Sequence, residues 1–316
     1  MAKRKIRLVS VMSELGAGTR GASLGLDAMR IASFKLNPKF FKKYKVEEVK
    51  HLNNMLFEED VTPYAKRLDG IVTMYQRIEE KLVEVFENGY FPIVISGDHS
   101  NAGGTIAGIK SAFPDKRLGV IWIDAHADLH SPYTSPSGNV HGMPLATALS
   151  EDNLDCKLKK VPDSTLQYWN QLKGKSPRIR YSDLVFIALR STEMPEDYLI
   201  IRNKVRVIKV EQVRESGPVR AAEKALEYLA DCDIIYISFD VDSMDPSVSR
   251  GTGTPVPGGL YEEEATAIIN RLLEDPRVVC LEFTEINPVL DDKGNAMGEA
   301  AFRILSTVVE TIKLNN

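Results

Sequence analysis

Eight apolar runs rich in β-branched residues recur along this chain, and four of them lead directly into clusters of histidine and carboxylate side chains. The runs are Ile6–Met12, Val46–Leu52, Pro92–Ser96, Leu118–Asp124, Leu184–Leu189, Val205–Val210, Ile234–Phe239 and Val278–Phe283. Amphipathic stretches separate them, among them Tyr64–Asn88, Gly103–Ser111, Val219–Leu229, Glu262–Leu273 and Met297–Ile312. Such alternation predicts an α/β fold, a mostly parallel sheet covered by helices. With 316 residues, of which 43% are hydrophobic, the chain can bury a sizeable core. No Pro/Ser-rich linker, charge block or internal repeat divides it, so residues 1–316 read as a single domain. The least regular region, Ser150–Arg180, reads as an excursion over the rim of the site.

Composition narrows the partners. A formal net charge of -4 gives no reason to expect nucleic acid or an anionic membrane. Cys156, Cys232 and Cys280 form no C-x-x-C pair, which points to a reducing compartment. The start, Met1 to Met12, is basic and then apolar, but Arg7 breaks it; it reads as a first strand rather than a targeting peptide. No segment approaches the ~20 apolar residues that span a bilayer. The expectation is a soluble, cytoplasmic protein.

The four clusters are Ser96-Gly97-Asp98-His99-Ser100, Asp124–His130, Asp240-Val241-Asp242 and Glu285-Ile286-Asn287-Pro288. Ligands bind beyond the carboxyl ends of parallel strands, so all four would open on one sheet edge. In Asp124-Ala125-His126-Ala127-Asp128 a ligand-type side chain stands at every second position. A strand aims alternate side chains at one face, and burying unpaired charge there is expensive. A cap explains one of Asp240 and Asp242, not both, and Asp245-Pro246 is the better turn candidate. Of five histidines, His51 reads as structural, whereas His99 and His126 read as ligands. The set His99, Asp124, His126, Asp128, Asp240 and Asp242 is too large for one catalytic zinc ion. It suits two divalent ions sharing carboxylates, with Mn²⁺ favoured by oxygen-rich, thiolate-free ligation and Co²⁺, Fe²⁺ and Ni²⁺ left open. Two metals about 3.5–4 Å apart can hold a bridging hydroxide, so metal-assisted hydrolysis is the implied chemistry.

Gly16-Ala17-Gly18-Thr19-Arg20-Gly21 matches the dinucleotide pattern G-x-G-x-x-G. It stands too far past the first strand, and no acid ends the second. It reads as a flexible glycine loop at the rim of the site, which disfavours a dinucleotide-dependent oxidoreductase.

Taken together, SGDHS (96–100), DAHADLH (124–130), SFDVDSMDP (238–246) and EINP (285–288) resemble the ureohydrolase (arginase/agmatinase) family, most closely its arginase branch. The resemblance implies a three-layer α/β/α fold with an eight-stranded, mostly parallel sheet and a dinuclear Mn²⁺ centre. One ion would be held by His99, Asp124, Asp128 and Asp240, the other by His126, Asp124, Asp240 and Asp242. It also implies a homo-oligomer, trimeric or hexameric.

The arginase-like stretch Ser137-Gly138-Asn139-Val140-His141-Gly142 implies that Ser137, Asn139 and Ser135 contact an α-carboxylate and that His141 shuttles a proton. The segment 189–196 implies that Glu193 and Glu196 read the α-ammonium. Asp128 would take up the nucleophile's proton, Glu285 would pair with the guanidinium, and Thr254 lies in an arginase-like Gly253-Thr254-Pro255 turn at the substrate. The implied reaction is hydrolysis of L-arginine to L-ornithine and urea. Two positions depart from the family pattern: His130 stands where asparagine is usual, and Glu193 where aspartate is usual. They leave open another small guanidino substrate such as agmatine. A non-catalytic binding subunit is the remaining alternative, against which the complete ligand set argues.

Overall fold

The computed structural model describes residues 5–314; the basic start Met1–Arg4 lies outside the described residues. All eight apolar runs form strands: β1 Lys5–Val11, β2 Val46–Glu48, β3 Tyr90–Ser96, β4 Leu118–Ile123, β5 Leu184–Ile187, β6 Arg206–Ile208, β7 Ile234–Asp240 and β8 Val278–Thr284. They pair in parallel throughout, in the order β2-β1-β3-β8-β7-β4-β5-β6. The two edge strands, β2 and β6, are shorter than the runs that contain them. Each has a partner on one side only, which leaves less ladder to hold their ends.

Strand periodicity divides the core into two layers. In β4, Ile121 and Ile123 point to the face covered by Gly25–Leu36, Pro218–Tyr228, Glu262–Leu273 and Ala296–Leu314. Val120 and Trp122 point to the face covered by Leu68–Glu87, Ala102–Ala112, Pro144–Leu149 and Asp163–Lys173. Both faces of the inner sheet are dry, which is why β3, β4, β5, β7 and β8 read as nearly unbroken apolar runs, whereas the edge strands β2 and β6 are partly exposed. Each fully buried Val, Leu, Ile or Phe contributes about 1.5–3 kcal/mol to this packing.

Ser150–Arg180 is more regular than its sequence suggests. It contains the helix Asp163–Lys173, anchored by the fully buried Trp169. The Trp169 indole donates to Asp152 Oδ1 at 2.6 Å, and Lys173 Nζ binds the same carboxylate. Only the part before the helix reaches the rim, where Lys159 Nζ donates to the backbone oxygen of Ser135.

Candidate active site

The four clusters extend from β3, β8, β7 and β4, which are consecutive in the sheet. From β3 the chain passes over β8 and β7 before it enters as β4, so residues from distant parts of the sequence meet at one carboxyl edge. Strand alternation alone does not bring the Asp124–Asp128 array together. β4 ends at Ile123, and Asp128 adopts a left-handed backbone at φ 51°. A non-glycine residue in that region is held there by its surroundings: Asp128 O accepts from Leu145 N at 3.2 Å, and its carboxylate faces His99.

Two groups of ligand-type atoms result. His99 Nδ1 lies 3.0 Å from Asp124 Oδ2, 3.0 Å from Asp128 Oδ2 and 3.2 Å from Asp240 Oδ2. His126 Nδ1 lies 3.0 Å from Asp242 Oδ2 and 3.5 Å from Asp124 Oδ1. Asp124 thus turns one oxygen toward each imidazole, as a shared carboxylate must. His99 Nδ1 and Asp124 Oδ2 are buried and have no hydrogen-bond partner, which is costly unless a cation takes their lone pairs. The same geometry gives two sets that could hold a metal: His99, Asp124 and Asp240, and Asp124, His126 and Asp242. The donors fit two divalent ions.

Electrostatics agrees with that need. Burial, and then the neighbouring Asp124, push the Asp128 carboxyl up to about 6. Burial with Asp242 and Asp124 raises Asp240 well above the carboxylate range. Burial opposes charge on His126, yet Asp242 and Asp124 overcome it and raise the imidazole to about 12. Four carboxylates beside two imidazoles leave this cluster short of positive charge, and protons supply it in the absence of metal.

Every expected site residue except Glu285 lines one cavity of about 160 Å³ above this cluster. Glu285 forms the adjoining wall. Its Oε1 accepts from His99 N at 3.0 Å and lies 3.1 Å from His141 Nδ1. Burial opposes charge on His141, but Glu285 raises it to about 9. Glu285, like Asp128, has a positive φ, 63°.

At the outer end the expected residues divide by what they already hold. Ser135 Oγ accepts from Gly138 N and Ser137 Oγ from Asn139 N, at 3.0 and 3.1 Å, which shapes the 135–139 turn. Asn139 Oδ1 accepts from Lys66 Nζ at 3.0 Å, turning its amide nitrogen the other way. Glu196 uses both oxygens on backbone: Oε1 on Leu129 N at 3.1 Å and Oε2 on Glu193 N at 3.1 Å. Glu193 is exposed and is the acid with more room for an ammonium. Thr254 Oγ1 donates to Asp242 Oδ2 at 3.0 Å, so it steadies a ligand-type carboxylate. His130 Nε2 lies 3.6 Å from both Glu193 Oε2 and Glu196 Oε2, and its Nδ1 meets Thr134 Oγ1 at 3.1 Å. Burial, then Lys159, lower its pKa to about 4. His51 stands apart on the surface, its Nδ1 accepting from Asn53 N.

The glycine loop is not flexible in the expected sense. Gly16 N donates to Asp98 Oδ2 at 2.8 Å, and Gly16 O accepts from His141 N at 3.1 Å. Glu14 Oε2 ties Gly21 N and Ser23 N, each at 2.9 Å. A Cβ on Gly16 would sit 2.6 Å from Ser100 Oγ, and one on Gly18 2.5 Å from Asn139 Nδ2. These glycines allow close approach to the site, which accounts for the pattern without a dinucleotide.

Some supporting residues escaped the sequence reading. Ser238 Oγ lies 2.7 Å from His99 Nε2, and Trp122 stacks on the His99 ring at 4.1 Å. Arg190 donates to the backbone oxygens of Asp242 at 2.8 Å, Val256 at 2.7 Å and Ala188 at 3.0 Å, clamping the loop that carries Asp242 and Thr254. Ser238 falls inside a quoted motif, and its position two residues before Asp240 was the available signal. Arg190, Lys66 and Lys159 carry no local signal, because their partners are distant in sequence.

Known proteins place this arrangement. A model of the arginase family matches residues 4–310. Arginase of Bacillus subtilis (strain 168) is 32% identical over 97% of this chain and 98% of its own length. A crystal structure of arginase from Bacillus subtilis has a TM-score of 0.79 at 31% identity, covering 97% of this chain and 98% of that one. Entamoeba histolytica arginase, solved in complex with L-ornithine, has a TM-score of 0.82 at 25% identity, covering 98% and 99%. The chain belongs to the arginase family.

Proposed function

We propose that this arginase-family hydrolase cleaves L-arginine to L-ornithine and urea, with two Mn²⁺ ions held by His99, Asp124, Asp128 and Asp240 and by His126, Asp124, Asp240 and Asp242. One observation carries the reading: the paired ligand groups, His141 and the acid- and amide-bearing turns share one small cavity, with Glu285 held against His141 beside it. When bound, the two ions supply charge stabilisation and lower the pKa of water at that point.

The protein groups have distinct tasks. Glu285 has Oε1 committed to His99 N and His141, which leaves Oε2 to pair with the guanidinium. Asp128 accepts a proton from attacking water. His141, oriented through Nδ1, exchanges a proton at Nε2 with the leaving nitrogen, work that suits an imidazole. Glu193 pairs with the α-ammonium, and Ser135, Ser137 and Asn139 meet the α-carboxylate, with Glu196 and Thr254 bracing the acid and the metal side.

We read the chain as one domain and as a homo-oligomer, trimeric or hexameric, working in the cytoplasm. Its three cysteines are unpaired, in keeping with a reducing compartment. No described helix is long and apolar enough to cross a membrane.

A second reading, another guanidino acid in place of arginine, has one observation in its favour. His130 lies 3.6 Å from both acids that would face an ammonium. Urea release from L-arginine, agmatine and guanidinobutyrate after Mn²⁺ loading separates the readings. Preference for L-arginine supports the first, preference for guanidinobutyrate the second, and activity on agmatine alone sinks both.

A further inference from the structure

Lys66 and Lys159 stand behind the 135–139 turn, and neither lines the cavity that the turn faces. Both are half-buried. Lys66 Nζ donates to Asn139 Oδ1 at 3.0 Å, and Lys159 Nζ donates to the backbone oxygen of Ser135. These oxygens are neutral, and neither lysine pairs with a carboxylate among the described residues. Taking a charge partly out of water without a counter-charge is costly, so two positive charges are held uncancelled against one turn.

The fold fixes them there. Lys66 N donates to Gly138 O at 2.8 Å. Gly138 has φ +71°, and a Cβ on it would lie 3.1 Å from the Tyr64 backbone. Asp60 Oδ1 accepts from Thr62 N at 3.0 Å and Arg67 N at 3.1 Å, which ties the chain on both sides of Lys66. Lys159 Nζ lies 5.1 Å over the Tyr64 ring, so the two lysines grip the turn together.

Proton counting shows what the turn offers. An ammonium only donates, so the Asn139 atom that faces Lys66 must be the oxygen. The amide nitrogen, on the Gly18 side, is then the polar atom that Asn139 has left to offer. Ser135 Oγ and Ser137 Oγ each accept from a backbone N–H, which leaves each hydroxyl its proton to give. All three residues line the cavity. The turn therefore offers donors, backed by positive charge, and its complement is an anion. A freely rotating Asn139 amide could instead present its oxygen and repel one.

We propose that Lys66 and Lys159 are positioning residues that make the 135–139 turn select a carboxylate-bearing substrate, Lys66 by fixing which end of the Asn139 amide is offered and both by their charge. The inference rests on the reading that this turn meets the substrate's α-carboxylate. Its test uses the Mn²⁺-loaded full chain, with urea release from L-arginine and calorimetric binding of L-ornithine as readouts. Lys66→Met is expected to raise KM for L-arginine and Kd for L-ornithine about tenfold, with kcat and metal content retained. Lys66→Arg, which also only donates, is expected to restore both. Lys159→Met loses charge but frees no side-chain amide, and a rise of about threefold is expected. Lys175→Met removes the same charge from an exposed position that does not line the cavity, and is expected to match wild type. A folded Lys66→Met protein with wild-type KM and Kd overturns the proposal. So does a fall in kcat as large as the rise in KM, a failure of Lys66→Arg to restore, or an equal loss in Lys175→Met. Should Lys66→Met not fold, Lys159→Met is read by the same criterion. Wild-type protein that binds L-ornithine yet releases no urea would refute the arginine reading, and Kd for L-ornithine in the same variants would then decide this one. Wild-type protein that does not bind L-ornithine overturns both.

Discussion

The floor of the cavity and its outer end are built by different means. Floor side chains come from, or directly follow, β3, β4 and β7, are almost all buried, and face one another at 3.0–3.5 Å. The outer end is made of turns tied by distant partners: Lys66 on Asn139, 73 positions away, and Glu196 on Leu129, 67 positions away. Several of its polar groups are exposed, Ser137 and Glu193 among them. Placement by a rigid sheet gives the floor precision, while placement by loops lets the outer end vary between related chains. Chemistry is therefore more firmly determined here than substrate choice.

Substitution on the floor should have the largest effect. Asp124→Ala removes the carboxylate that faces both imidazoles. Turnover should fall on the order of 10³-fold or more, since metals contribute several kcal/mol of charge stabilisation. Metal content, measured by mass spectrometry, should fall with it; retention of two ions would mean that Asp124 is not shared.

His141 lies where the two regions meet. His141→Ala should lower kcat by about 10²-fold with metal content unchanged, the signature of proton transfer. Parallel loss of metal would assign it to the floor instead.

A smaller effect is expected at the outer end. Glu193→Gln should raise KM for L-arginine about tenfold and leave kcat nearly unchanged, a modest change because solvent screens this exposed acid. An equal fall in kcat would show that the outer end also orients the reacting group.

The smallest effect is a difference between two melting curves. Asp128 has its pKa raised to about 6, and His126 to about 12. A raised pKa makes the metal-free fold bind protons more tightly than the unfolded chain. That stability is complete below the ordinary pKa of each group and is lost as pH rises through the raised value: near pH 6 for Asp128, and toward pH 12 for His126. Metal must displace these protons, so the gain in Tm on adding Mn²⁺ should be larger near pH 7.5 than near pH 5.5, by roughly a few degrees. Equal gains would mean that protons and metal do not compete for the floor.

Much of this was legible in the chain itself. Strands β3, β4, β5, β7 and β8 were the most readable because both their faces are dry and their runs are apolar on nearly consecutive residues, a signal that needs no partner to be seen. The set of ligand-type residues was readable because such side chains, clustered at strand ends in a parallel sheet, must share an edge. The ends of β2 and β6 were less legible, since edge pairing depends on a neighbour. Ser150–Arg180 looked irregular because its helix is anchored through Trp169 to a distant core rather than by a strong period of its own.

By itself, then, the sequence determined the layered fold, the set of ligand-type residues and the class of chemistry, because local periodicity and strand-end position carry that information. Tertiary structure alone decided which atoms face one another. It turned Asp128 into a left-handed backbone, divided Asp124 between two imidazoles, committed Glu196 and Thr254 to support, and brought His130 between two acids. These are long-range packing outcomes, and no spacing along the chain encodes them.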